Sequence, residues 1–134
     1  MKILFFILFN FPIILLSQNC ENKIIYSNKG NVEKRLSLIN GKLDGTSLTY
    51  YESGNIKEVQ FYKQNIKQGE WVIFDDKKNK IMSIHYLNNM KNGECLVWDS
   101  NGIVRVKMNY KNNKKIGTWI MRDETGYIIK VKDY

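Results

Sequence analysis

The stretch Gly69-Glu70-Trp71-Val72-Ile73-Phe74-Asp75 recurs along this chain at a fixed interval of 24 residues. Downstream stand Gly93-Glu94-Cys95-Leu96-Val97-Trp98-Asp99 and Gly117-Thr118-Trp119-Ile120-Met121-Arg122-Asp123. Upstream stands Gly45-Thr46-Ser47-Leu48-Thr49-Tyr50-Tyr51. A second ladder, Tyr62, Tyr86, Tyr110 and Tyr134, keeps the same register, and a third, Gly54, Gly102 and Gly126, has Lys78 in its remaining slot. A fixed period of this length is the signature of a repeat architecture, in which each unit buries its apolar side chains against its neighbours.

Each unit reads as two short strands. Trp71 to Phe74 is uniformly apolar and β-prone, and after the polar loop Asp75 to Asn79 a second run alternates strictly. Met82, Ile84 and Tyr86 point one way, Ser83 and His85 the other. Val104, Val106, Met108 and Tyr110 repeat the pattern against Arg105, Lys107 and Asn109. A period of two specifies a strand. The connections Asn88 to Gly93 and Asn112 to Gly117 are rich in Asn and Gly, which accept the left-handed backbone of tight turns. The expected fold is therefore all-β: an elongated repeat meander of antiparallel β-hairpins built from 24-residue units. Four units are expected at 45–68, 69–92, 93–116 and 117–134. Residues 18–44 form a worn copy that caps the stack, with Tyr26, Gly30, Val32 and Leu38 in ladder slots. Simple hairpin counting places the even positions of both strands, such as Val72 and Phe74 with Met82 and Ile84, on one shared face.

Residues 1–17 have the layout of a secretory signal peptide: Lys2, then the apolar run Ile3 to Leu16, then the small residue Ser17. The run is shorter than the roughly 20 apolar residues of a spanning helix. Cleavage is expected after Ser17, which makes the chain an exported one, periplasmic or secreted. Cys20 invites a lipidation reading, but Asn19 immediately before it is not the small residue such a site wants. The formal charge of +8 draws the surface toward anionic partners and does not bear on the fold. Two cysteines are too few for a disulfide scaffold. Two free thiols are favoured over a bridge between Cys20 and Cys95.

The recurring Gly-Glu-Trp-x-x-Phe, the glycine after an acidic turn and the tyrosine followed by Asn and Lys resemble the bacterial variant of the MORN repeat. Gly69-Glu70-Trp71…Phe74, Gly93-Glu94-Cys95…Trp98 and Gly117-Thr118-Trp119 carry the likeness, which covers roughly Tyr26 to Tyr134. It is specific for architecture and weak for function. The resemblance implies a protein-interaction, dimerisation or lipid-contacting module. Some proteins with such repeats carry an antitoxin label, which sits badly with an exported chain. Ser47 and Cys95 in the tryptophan slot, Lys78 in the glycine slot and Arg122 in the aromatic slot depart from the pattern.

Gly45, Gly69, Gly93, Gly117, Trp71, Trp119, Tyr62, Tyr86 and Tyr110 are read as structural ladder residues. His85, the one histidine, lies on the polar side of its strand with no second ligand at metal spacing, so neither a metal nor another cofactor is expected. Asp75, Asp99 and Asp123 recur at the exit of the first strand, where Asp bonds the turn backbone. No convergent catalytic set is visible, and catalysis is not expected. Lys67, Lys91 and Lys115 recur two residues before each unit's glycine. They form either solvated turn lysines or an anion-facing stripe along one edge. The leading functional reading is a protein-interaction module with an unidentified protein partner. The alternative is contact with anionic lipid or envelope polysaccharide through the lysines, and antitoxin-like neutralisation is more distant. Nucleic acid is not an expected partner.

Overall fold

The structure is a computed structural model that describes residues 19–134; the leader expected over 1–17 lies outside the described residues. Ten strands run in order: β1 Cys20–Tyr26, β2 Val32–Ile39, β3 Lys42–Tyr50, β4 Ile56–Lys63, β5 Ile66–Phe74, β6 Lys80–Leu87, β7 Met90–Trp98, β8 Val104–Lys111, β9 Lys114–Arg122 and β10 Ile128–Asp133. They form one antiparallel sheet in which each strand pairs only with its chain neighbours. The expected repeat meander of hairpins is the fold observed.

Two turn types alternate. After β2, β4, β6 and β8 come two-residue turns, Asn40-Gly41, Gln64-Asn65, Asn88-Asn89 and Asn112-Asn113, with both residues at positive φ. This is the twist-matched hairpin turn that favours Asn and Gly. Three of these turns also join one unit to the one before. Asn65, Asn89 and Asn113 donate their backbone N–H to the carbonyls of Leu43, Lys67 and Lys91 at 2.8, 3.1 and 3.0 Å. In return their side-chain oxygens accept the N–H of those same residues at 2.7, 2.8 and 2.8 Å. The chain between Asn88 and Gly93, expected as a connection, is turn only at Asn88-Asn89; Met90 onward is already β7.

Three of the other turns, after β5, β7 and β9, are closed by an acidic side chain. Asp75 Oδ1 accepts from the N–H groups of Lys77 and Asn79, at 2.9 and 2.8 Å. Asp99 and Asp123 do the same at their turns. Their carboxyls are held below the ordinary Asp range. The main cause is the Asn79 side chain at Asp75, the Ile103 N–H at Asp99 and the Thr125 hydroxyl at Asp123. The turn-making role expected of these residues is what they perform. Lys78 stands in the ladder's glycine slot at φ +71, where Gly54, Gly102 and Gly126 adopt +87, +78 and +91. A side chain in this region costs about 1–2 kcal/mol, partly offset by the entropy glycine would lose. Lys78→Gly should raise stability by up to about 1 kcal/mol, read as a higher denaturant midpoint at unchanged slope.

Gly45, Gly69, Gly93 and Gly117 lie inside β3, β5, β7 and β9 at positive φ. At each, the glycine strand carries two more residues than its partner: β4 passes from Val59 to Phe61 while β5 passes from Val72 to Gln68. The same count holds in the three other units. These are β-bulges, which bend a strand and increase its twist.

The face assignment expected from even positions is corrected. Trp71 pairs with Ile84, Val72 with Ser83 and Ile73 with Met82, and directly opposed residues share a face. Odd positions of β5 therefore sit with even positions of β6. Beside the turn the pairing is Phe74 with Lys80, in the parity that simple hairpin counting assumes. One extra residue, Ile81, then shifts the register, and a one-residue shift moves every later side chain to the other face.

Little is fully enclosed. Among the described residues the buried apolar side chains are Val72 and Cys95, and most of the remaining aliphatic and aromatic rows are half-buried.

Candidate binding face

The face that carries Trp71 is ordered in two rows. One runs across the strands through Leu36, Ser47, Gln60, Trp71, Ile84, Cys95, Met108, Trp119 and Lys132, built from the cross-strand pairs and the shared parity. The neighbouring row, beside the two-residue turns, alternates tyrosine and lysine: Tyr62 opposes Lys67, Tyr86 opposes Lys91 and Tyr110 opposes Lys115. In the first unit the corresponding pair is Leu38 and Leu43.

Trp71 and Trp119 are each held between two tyrosines. Trp71 lies 5.3 Å from Tyr62 and 4.7 Å from Tyr86, ring centre to ring centre. Trp119 repeats this against Tyr110 and Tyr134, again at 5.3 and 4.7 Å. The indole N–H groups donate to backbone carbonyls of the preceding hairpin, Trp71 to Phe61 at 3.1 Å and Trp119 to Asn109 at 3.2 Å. Burial pushes the phenols of Tyr62, Tyr86 and Tyr110 above the ordinary tyrosine range. At Tyr134 burial pulls upward too, but the Lys115 and Lys132 ammoniums together bring it below that range.

The three lysines rest on these rings. Lys67 Nζ stands 4.5 Å from the Trp71 ring centre and 5.3 Å from that of Tyr86. Lys91 stands 5.1 Å from Tyr110, and Lys115 4.6 Å from Trp119 and 4.8 Å from Tyr134. Such contacts contribute about 0.5–1 kcal/mol each at exposed sites. The stripe expected at one edge is thus a row on one face, spaced by about 10 Å per unit. Its ammoniums share their field with aromatic faces. Lys132, at the end of the tryptophan row and over Tyr134 at 4.7 Å, adds a fourth ammonium to this face and was missed in the sequence. The signal that could have found the ring contacts was the interval of 19 from each lysine to the tyrosine of the next unit, with a tryptophan four residues after Lys67 and Lys115.

The remaining candidates disperse. His85 is exposed on the opposite face. Among the described residues no group of three or more His, Cys, Asp or Glu is placed to hold a metal ion, and no helix is long and apolar enough to cross a membrane. Cys20 is free and exposed, and Cys95 is free and buried. They lie six strands apart, on the order of 25–30 Å, far beyond the ~7 Å limit for bridged Cα atoms. The Cys20–Cys95 bridge is therefore not formed. Burial raises the Cys95 thiol above its ordinary range, more than the Lys91 charge lowers it. A thiol reagent should titrate one group in the native protein, Cys20, and two after denaturation; none in the denatured, unreduced protein would contradict this.

These features define a class, a single-sheet β-hairpin repeat with an aromatic and basic face. Residues 43–64 and 91–112 match the MORN repeat variant family. The two segments fall on equivalent hairpins, β3–β4 and β7–β8. No curated protein matches the chain. Among solved structures it is similar to a chain in the crystal structure of accessory secretory protein 1, 2 and 3 in Streptococcus pneumoniae. The identity is 17%, over 75% of this chain and 19% of that one, at a TM-score of 0.44; no functional inference rests on it.

Proposed function

We propose that this chain is an exported, non-catalytic repeat module of the MORN type that binds another protein. The observation that carries the reading is the single-layer sheet, which leaves its apolar rows half-open on both faces with only Val72 and Cys95 buried among the described apolar residues. Open apolar surface of this extent marks a protein-interaction or membrane-interaction site or a ligand-binding groove. The two hairpins matching the MORN repeat variant family agree with a non-catalytic module. Immobilised protein, residues 18–134, should retain a defined partner from the envelope fraction of its host. Failure to retain any protein over a denatured control would sink the reading.

The row of Lys67, Lys91 and Lys115, with Lys132 beside it on the same face, supports a second reading, contact with an anionic envelope surface. Co-sedimentation with vesicles that requires anionic lipid and is lost at high salt would favour it, because screening weakens exposed charges. Export has its own test. Mass spectrometry of the protein from its host should find a chain starting at or near Gln18. A product that keeps Met1 would place it in the cytoplasm and restore the antitoxin reading.

A further inference from the structure

The tryptophan row has a gap at its first full unit. Trp71 and Trp119 fill their slots, but the slot 24 residues before Trp71 is held by Ser47, between its cross-strand neighbours Leu36 and Gln60. An open cavity of about 510 Å³ lies there, within the roughly 300–1,000 Å³ range of ligand pockets. Ile25, Leu36, Leu43 and Tyr62 give it apolar walls, and Ser47, Glu58 and Gln60 give it polar ones. Ser47 is only 3% exposed, and its buried hydroxyl has no hydrogen-bond partner. A buried hydroxyl left unpaired is costly, and such a group in a native structure calls for an explanation.

The geometry points to this gap as a binding site for an indole ring, presented as a tryptophan side chain by the partner polypeptide. It rests on, and deepens, the protein-binding reading. The argument comes from the chain's own repeats. In the two filled slots the occupant is an indole packed at a tilt against a tyrosine, with its N–H given to the carbonyl ten residues back. The empty slot keeps the aromatic wall Tyr62, whose ring contacts Trp71. It is also rich in acceptors. The Glu58 carboxylate takes one hydrogen bond from the Gln60 amide at 2.7 Å, and the Gln60 oxygen takes a long one from the Tyr62 hydroxyl at 3.3 Å. An incoming donor edge therefore meets acceptors at Glu58 and Gln60. Glu33 and Glu58 balance Lys34 and Lys57 around the cavity, so the site suits a neutral ring better than a strongly charged ligand. The Cys95 slot differs: its cross-strand neighbours Ile84 and Met108 are apolar.

The test fills the gap from within. Fluorine NMR of N-acetyl-5-fluorotryptophanamide should show saturable line broadening with the wild-type chain. Ser47→Trp should weaken that binding at least about tenfold and raise the melting temperature by a few degrees. Ser47→Leu, smaller and apolar, carries the same test should the indole variant fail to fold. Absence of saturable broadening, or broadening unchanged in the filled variants, overturns the assignment. Binding of free indole with none of the amide probe would assign the site to a small metabolite and overturn the partner side chain as occupant. A concentration-dependent dimer abolished by Ser47→Trp would assign it to a second copy, with the same consequence. Should wild type and Ser47→Trp retain the same envelope partner equally, the slot is overturned and the protein-binding reading stands. Should neither retain one, that reading fails while the probe still judges the slot.

Discussion

Trp71→Ala should lower the melting temperature more than any other single aromatic truncation along the ladder. The indole packs at a tilt between Tyr62 and Tyr86, carries the Lys67 ammonium and donates to the Phe61 carbonyl, so four contacts go at once. Full burial of a tryptophan would make truncation cost ~3–5 kcal/mol. Trp71 is half-buried, which brings the expected cost to about 2–3 kcal/mol. In a stacked repeat the loss also weakens the interfaces with both neighbouring units. Trp119→Ala removes the same kinds of contact, but its outer neighbour is β10, whose described residues are all exposed. It should therefore destabilise less. If the tryptophans instead serve only as ligand contacts, both variants will melt with the wild type and lose binding alone. A pair of thermal melts distinguishes the two outcomes.

Gly93→Ala is the second large effect. Gly93 has φ +119, outside the left-handed region that L-residues can reach at modest cost, and an added Cβ would stand 3.2 Å from the Cβ of His85. Backbone strain and overpacking act together here, for an expected loss of about 2–4 kcal/mol. Gly117 occupies the same ladder position at φ +61 with open space around it, and its alanine variant should lose about 1–2 kcal/mol. Chemical denaturation of the two variants gives the comparison directly, and equal losses would contradict the bulge geometry assigned to Gly93.

The architecture was readable because three ladders share one interval, and neither propensity nor packing had to be known to count it. The aspartates were readable for a local reason: an Asp side chain closes its own turn whatever surrounds it. Strand pairing was less accessible. The faces turn on single bulged residues such as Ile81 and its equivalents Lys57 and Arg105, and nothing in their identity marks them as unpaired. The glycine ladder marks the period in the sequence, while the bend that its positive φ puts in the middle of long strands is visible only once the pairing is known. The lysines were found as a register but not as ring-capping groups, because that contact depends on the corrected parity. Ser47 was seen only as a departure from the pattern. That a small polar residue leaves a cavity, while Cys95 in the equivalent slot sits among Ile84 and Met108, depends on cross-strand neighbours that no local stretch reveals.

The central claim is that Trp71 and Trp119, the ladder tyrosines and the row lysines occupy one face of a single sheet. Nuclear Overhauser measurements on the labelled protein test it most directly. The account predicts contacts from the Trp71 ring to the rings of Tyr62 and Tyr86, with the Lys67 and Lys115 side-chain methylenes shifted upfield by the rings beneath them. Trp71 contacts to the Ser83 and His85 side chains instead, with lysine shifts at random-coil values, would put the tryptophans on the opposite face and contradict it.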